Sequence, residues 1–218
     1  MTNKELKDWF EQTAKIITDI QICVNNAMRL FDKNYENEDW VKNHGFFRHH
    51  YYQLWFILSV QLSKLLSSSR NQRYNFNKLL DRLKNEELDE ELTKLIEINK
   101  NIRFSAVFRS KDEMFNKIKS FQSEIKDNEE TIKRIVTSRD TLYAHRDPDA
   151  KPPNVTLSDA ERLTDLVKRL YNCFRGGFYD ISFGFDRTDD WDIDFVLKQA
   201  ALAKTQRDNE RSQRLNEK

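Results

Sequence analysis

Glycine, proline and cysteine are scarce in this sequence, which has 4 Gly, 3 Pro and 2 Cys among 218 residues. Sheets and long loops need many turns, and glycine and proline are the residues that favour turns, so their scarcity argues against both. No segment alternates between apolar and polar residues, and no internal repeat occurs. Lys, Glu, Leu, Asn and Asp fill the positions between apolar residues, a composition that favours helices. We therefore predict an all-α fold, a bundle of long antiparallel helices.

The cysteines and histidines do not form a pattern typical of a metal site. Cys23 and Cys173 lie far apart, with no CxxC motif or histidine-rich companion. His44, His49 and His50 are close in sequence but lack carboxylates or thiols at ligand spacing. We predict two free thiols in a reducing compartment, and neither a metal nor a cofactor.

Charge and hydropathy indicate a soluble protein without a strong global field. The formal net charge is +1, so any contact with nucleic acid needs a local basic patch. The first residues lack the apolar core of a signal peptide. Residues 51–66 are the most apolar segment, but they are too few for a comfortable membrane span and include Lys64. We expect a cytoplasmic protein that does not contact a membrane.

Apolar spacing predicts the individual helices and one domain over residues 1–205. Residues 50–69 are apolar on nearly every face, which predicts a helix inside the bundle or at a subunit interface. Residues 206–218 are polar and charged and are either a solvated helix end or a disordered tail. The first half of the chain further predicts a helix over 6–31, a loop over 34–45 anchored by Trp40, and a short helix opened by Asn75 or Asn77.

The second half predicts two helices or one kinked helix over 111–145, and then a helix capped by Ser158 and Glu161 that Gly176 and Gly177 bend or end. A last helix begins at about Asp190 and buries Trp191, Phe195, Val196, Leu202 and Ala203.

The segment SRDTLYAHRDPD is the least generic part of the chain. Counted from Ile132, Ile135 and Val136, Arg139 falls on the apolar face of its helix. A buried arginine costs stability unless its guanidinium finds a partner or reaches a cleft. Such conflicts between pattern and residue often mark functional sites.

His145 follows Arg139 by six residues and precedes the loop signal HRDPDAKPPN, where prolines stop a helix. In a continuous helix the two side chains would point about 120° apart. They can converge if the helix ends near Ala144, or if a second subunit supplies the facing pair. A homodimer with this helix at its seam would place two copies of each residue in one cleft.

The stretch Arg139-Asp140-Thr141-Leu142-Tyr143-Ala144-His145 resembles the signature of HEPN domains, in which an arginine and a polar residue precede a histidine. The form RDxxYAHxD before a proline-containing loop is similar to the U-type abortive-infection (Abi) branch of those proteins. The upstream segment YYQLWFILSVQLSKLLSSSRNQRYNFNKLLDRL also resembles that branch. The resemblance extends over residues 6–183 and implies a single HEPN-like helical domain.

This resemblance implies a metal-independent endoribonuclease that acts as a homodimer, as a toxin-like or phage-defence effector. His145 would transfer protons as general base or acid. Arg139 would bind the phosphate and stabilise the charge of the transition state. Asp140 would orient either residue, and Tyr143 or Thr141 would help to position the RNA.

Several alternatives remain open at this point. A basic segment with interleaved aromatic residues is our first candidate for contacts with the RNA backbone, although a solvated helix face is the simpler explanation; its cations are Arg103, Arg109, Lys111, Lys117 and Lys119. Arg146 is a further candidate for such a contact. Asp147 stands where some HEPN toxins carry a modified tyrosine, so we do not expect that regulation. A non-catalytic HEPN-like module for dimerisation or for binding a nucleotide or a partner would fit the helical pattern too. An antitoxin or regulatory partner is also compatible with the sequence.

Overall fold

The computed structural model describes residues 1–30, 38–68, 71–100, 102, 107–144 and 154–216. Over these residues all regular secondary structure is helical, which confirms the predicted all-α bundle. The helices are α1 (Asn3–Arg29), α2 (Glu38–Asn43), α3 (Gly45–Leu66), α4 (Phe76–Asn85), α5 (Glu90–Asn99), α6 (Lys111–Asp127), α7 (Glu129–Ser138), α8 (Leu157–Tyr179) and α9 (Asp194–Asn216), with a π-helical segment at Arg139–Ala144 and a 3₁₀ turn at Asp189–Trp191.

Helices α1, α3 and α8 form the centre of the bundle. Helix α1 begins with a capping box, in which Thr2 and Glu5 each bind the other's backbone N–H. Its apolar face, with Leu6 and Ile17 fully buried, packs against α3 and α8. The Tyr179 hydroxyl donates to Asn3 Oδ1 at 2.6 Å, so the end of α8 lies at the beginning of α1 and the two helices run antiparallel.

Helix α3 has one buried face and one exposed face. The buried side chains pack against α1 and α7. Phe46 is 65% exposed and Ile57 is 38% exposed on the other side. The prediction of a fully enclosed helix is therefore wrong for the described residues, and the alternative of a subunit interface stays a prediction. The buried residues are Phe47, Leu54, Leu58, Ser59, Leu62, Ser63, Leu65 and Leu66.

Asn75 joins α3 to α4, and as predicted it opens the second of these helices. Its buried amide donates to the carbonyls of Lys64 and Ser67 at 3.0 and 2.7 Å, while its Oδ1 accepts from the backbone N–H of Asn77 at 2.9 Å. One side chain thus satisfies terminal groups of both helices. This junction fixes the α3–α4 corner, which forms a wall of the site described below.

Three local predictions are wrong. Residues 38–43, assigned to a loop, form α2, and Trp40 is 48% exposed, although the Lys204 ammonium lies 5.3 Å from its ring centroid. The capping box of α8 uses Thr156 with Asp159, because Thr156 has the extended backbone of an N-cap while Ser158 already lies inside the helix. Helix α8 also continues through Gly176 and Gly177 to Tyr179 without ending there.

The last helix is correct in type, but its predicted core face is wrong. Trp191, Phe195 and Leu202 are 67%, 69% and 54% exposed. Leu197 and Ala201 are buried instead, because α9 meets the bundle along one narrow line beside α2. Beyond Thr205 the helix continues to Asn216 with mostly exposed side chains. Of the two predicted alternatives for this segment, the solvated helix end is therefore the one that the structure shows. Among the described helices, none is long and apolar enough to cross a bilayer.

Candidate functional site

The backbone changes character where the sequence predicts the chemistry. Helix α7 ends at Ser138, and residues Arg139–Ala144 continue as a π-helix. π-Helical segments are rare and occur frequently at functional sites. Thr141 Oγ1 donates to the carbonyl of Thr137 at 2.8 Å, a side-chain bond of the kind that distorts helices. The candidate segment is therefore structurally distinct from the regular helix before it.

Arg139 and Asp140 contact each other. Arg139 Nε donates to Asp140 Oδ1 at 2.8 Å, and Nη2 lies 2.7 Å from the same oxygen. The arginine side chain is 25% exposed and the aspartate side chain is 49% exposed. Arginine has five N–H donors in a planar fork, and those of Nη1 have no partner within the described residues. The guanidinium is therefore held in one orientation and still has donors for an anion.

Arg139 lines a groove of about 750 Å³, which we call the Arg139 groove. The end of α3, the start of α4, the end of α6 and α7 form its walls. Three cationic side chains and one carboxylate line it, and two of the cations, Arg139 and Lys133, pair with carboxylates. Its floor is apolar. The lining residues are Leu66, Ser67, Ser68, Asn77, Gln122, Ile125, Lys126, Glu129, Ile132, Lys133, Val136, Thr137 and Arg139.

The two lysines of the Arg139 groove differ in their partners. Lys133 Nζ lies 3.2 Å from Glu129 and 3.1 Å from Glu130. Lys126 is exposed and has no carboxylate partner in the described part of the chain. Lys126 is therefore an available cation beside Arg139. Sequence reasoning missed it, since a lysine in the last turn of a helix also suits the helix dipole.

Arg109 and Lys111, predicted to contact RNA, lie away from this groove. Arg109 Nε donates to the carbonyl of Ile102 at 3.0 Å, and Nη1 lies 3.7 Å from Glu113. Arg109 lines a second groove of about 1080 Å³ between α6 and α8, the α6–α8 groove. Lys111 is the exposed first residue of α6.

Two further cations of the α6–α8 groove are paired, whereas Lys117, which also lines it, has no carboxylate partner among the described residues. Lys168 Nζ lies 2.6 Å from Asp186, and Arg169 pairs with Glu124. Paired and exposed charges contribute little attraction for a further anion. Each groove therefore keeps one exposed lysine without a carboxylate partner among the described residues, Lys126 in the Arg139 groove and Lys117 in the α6–α8 groove.

The structure does not test every predicted site residue. His145, Arg146 and Arg103 lie outside the described residues, as does most of the HRDPDAKPPN loop. Tyr143 belongs to the π-helix, but its side chain is not among those described. The roles of these four residues stay predictions.

The two cysteines are free thiols with little chemical reactivity. Burial raises the pKa of Cys23 to about 12. Burial also raises the pKa of Cys173, which lines the α6–α8 groove. Both thiols stay protonated at neutral pH, so neither is a good nucleophile. Within the described ranges, His, Cys, Asp and Glu do not gather in a group that would hold a metal ion.

Comparison with known proteins agrees with the predicted family and fold. The model of the family HEPN_AbiU2, described as AbiU2, matches residues 3–194. No curated protein and no solved structure matches the chain. The family match spans the bundle from α1 to the start of α9 and includes the segment from Arg139 to His145. The chain therefore belongs to the AbiU2 branch of the HEPN family and is an abortive-infection HEPN domain.

Proposed function

We propose that this protein is a metal-independent endoribonuclease that acts as a toxin-like effector in defence against phage. One observation carries the proposal: Arg139, oriented by Asp140, lines a groove in the π-helical segment after α7, and its Nη1 donors have no partner among the described residues. A fixed guanidinium with free donors is suited to a phosphate group, whose oxygens it can bind through two parallel hydrogen bonds.

The proposed reaction uses the substrate's own 2′-hydroxyl. That oxygen attacks the adjacent phosphorus, the bond from phosphorus to the 5′-oxygen breaks, and a 2′,3′-cyclic phosphate and a 5′-hydroxyl result. Arg139 binds the non-bridging oxygens as their negative charge grows. His145 removes the 2′-proton or protonates the leaving oxygen, a role that rests on the family resemblance.

We propose that the active form is a homodimer. A homodimer with this segment at its seam would bring two copies of Arg139 and of His145 into one cleft, so that each arginine could face the histidine of the other subunit. The exposed apolar side chains of α3 support this proposal, since contiguous apolar surface is typical of subunit interfaces. A toxin-like nuclease also needs restraint in the cell, which an antitoxin or regulatory partner would supply.

RNA cleavage in EDTA tests the proposed activity directly. We expect the purified protein to cleave single-stranded RNA in excess EDTA and to leave cyclic phosphate ends, identified by mass spectrometry of the products. Sedimentation of the same preparation gives the oligomeric state. Absence of cleavage by folded, dimeric protein would contradict the nuclease and favour the non-catalytic binding module.

Replacing Lys126 tests whether the Arg139 groove holds the RNA. We expect Lys126→Ala to weaken binding of a fluorescein-labelled, fully 2′-O-methylated RNA oligonucleotide by about threefold, the effect of one exposed charge contact. The slope of the logarithm of the binding constant against the logarithm of salt concentration should become shallower by about 0.7, the value for one phosphate contact on a single strand. Fluorescence anisotropy at several salt concentrations measures both quantities.

Lys117→Ala is the matched control for this experiment. Lys117 is an exposed lysine on the same helix, but it lines the α6–α8 groove. We expect its replacement to leave affinity and salt slope unchanged. Equal losses in both variants would mean that the RNA does not follow the Arg139 groove, and a loss in Lys117→Ala alone would place it in the α6–α8 groove.

A further inference from the structure

A third groove, between α1 and the C-terminal half of α8, has the character of a small-molecule site; we call it the α1–α8 groove. Its volume of about 860 Å³ falls in the range typical of ligand pockets. Aromatic and apolar side chains form most of its surface, with Phe10 and Tyr171 buried at its base and Tyr179, Ile181 and Phe183 around it. It shares no lining residue with the Arg139 groove.

Two cations in this groove lie on aromatic rings instead of pairing with carboxylates. Arg175 Nη1 donates to the Tyr171 hydroxyl at 2.6 Å. The Arg175 guanidinium lies 5.6 Å from the Tyr171 ring centroid and 5.7 Å from that of Phe183. Lys7 Nζ lies 5.7 Å from the ring centroid of Tyr179. Neither cation has a carboxylate partner within the part of the chain that the structure describes.

The remaining charged residues of the groove are already engaged. Lys15 pairs with Glu11 at 3.4 Å. Asp19 accepts a hydrogen bond from Gln61 of α3 at 3.1 Å. Gln61 is neutral, so Asp19 keeps its negative charge, and the lining carries three cations and two carboxylates. The two cations without a carboxylate partner, Arg175 and Lys7, lie beside the aromatic rings.

The aromatic rim is held in place before any ligand binds. Asn172 donates to the carbonyl of Phe183 at 3.1 Å and accepts from its N–H at 2.7 Å, which fixes the segment after α8. The Phe183 ring packs on Phe185, with 4.7 Å between their centroids. A preformed pocket binds its ligand without the cost of ordering loops.

We infer that the α1–α8 groove binds a small aromatic anion, that is, a planar ring that carries a phosphate or carboxylate group. The guanidinium of Arg175 matches the oxygens of either anion, and Lys7 adds a second positive charge. The ring would stack on the accessible rings of Tyr179 and Phe183, above the buried Tyr171, where offset and edge contacts add to apolar burial. Such a ligand would lie between α1 and α8, whereas α3, α4, α6 and α7 surround the Arg139 groove.

Four probes test separately what the aromatic ring and the anionic group contribute to binding. Adenosine 5′-monophosphate and indole-3-acetate are aromatic anions with different head groups, adenosine has a ring without an anion, and inorganic phosphate has an anion without a ring. We expect at least one aromatic anion to bind the full chain more tightly than both half-ligands in isothermal titration calorimetry. The head group that binds distinguishes phosphate from carboxylate recognition.

Arg175→Gln should weaken this binding by about tenfold or more, the effect of losing a charge-assisted hydrogen bond. Arg162→Gln is the matched control, because Arg162 also lies on α8 but contacts Asp159 and Thr131 outside the groove. Circular dichroism melting of each variant identifies any loss of folding, and Lys7→Gln, at an exposed position, should give a smaller loss of affinity without a change in melting.

Three results would overturn the inference. The first is that aromatic anions bind no more tightly than adenosine or phosphate, and the second is that their binding survives Arg175→Gln in folded protein. A change of oligomeric state in Arg175→Gln, measured by sedimentation, would instead assign the groove to a second copy of the chain. None of these results depends on RNA cleavage, so they leave the proposed nuclease untouched.

Discussion

Replacing Arg139 with alanine is expected to reduce metal-free RNA cleavage by about 10²–10³-fold, the loss typical of removing one donor that stabilises a developing oxyanion. The Asp140 carboxylate holds the guanidinium in place, so its donors need no reorganisation as charge grows on the phosphate. Ground-state RNA binding should weaken much less, because the other groups of the Arg139 groove remain. Single-turnover cleavage in EDTA, with RNA affinity measured separately, gives both quantities.

Three further variants separate chemistry from folding in this experiment. Arg139→Lys keeps the charge but loses the fork and should recover only part of the activity. Asp140→Asn should lower the rate less than Arg139→Ala, since the guanidinium loses its orientation but not its donors. Arg134→Ala removes an arginine of the same helix that binds the carbonyl of Asn154, and it should lower stability without a specific loss of turnover. Normal cleavage by folded Arg139→Ala would exclude Arg139 from the reaction.

Sequence reasoning selected Arg139 because a charged residue stands there on the apolar face of its helix. The apolar spacing of α7 required an apolar residue where Arg139 stands, and the structure places that arginine at the edge of a groove in contact with Asp140. The π-helical backbone was not predicted, because no residue pattern in Arg139–Ala144 distinguishes a π-helix from an α-helix. Lys126 was missed because only the folded structure shows that it lines the same groove as Arg139.

The helices were easier to predict than the faces that they bury. Periodicity gave α1 and α9 correctly as helices, but for α9 it selected the largest apolar residues, such as Phe195, as core. Burial there follows from contact with α2, a helix of six residues that the sequence pattern did not reveal. Gly177 shows the same limit of sequence reasoning. The effect of a side chain at this position depends on Phe108, which precedes α6 in the chain and packs against Gly177.

Gly177→Ala is expected to destabilise the protein by about 1–3 kcal/mol, the usual cost of overpacking a core. In an ordinary helix interior the same change would stabilise by up to about 1 kcal/mol. Here the new Cβ would lie 2.2 Å from Phe108 Cε2 and 2.4 Å from Cζ. The Phe108 ring cannot easily move away, since it is 3% exposed, packs on Phe174 and Phe178, and follows a backbone N–H that donates to the Gly177 carbonyl at 2.8 Å.

For a domain of this size, that loss corresponds to a decrease in Tm of about 2–4 °C for each kcal/mol. Gly45→Ala is the matched control, because nothing lies within 4 Å of the Cβ that it would gain, and its Tm should stay the same or rise. Phe108→Ala should be strongly destabilising alone, by about 3–5 kcal/mol. In the Gly177→Ala background Phe108→Ala should cost less, because there it also removes the clash with the new Cβ, so the two changes are non-additive. An increase in Tm for Gly177→Ala would mean that Phe108 does not pack on α8 in this way, and that Gly177 is an ordinary helix residue.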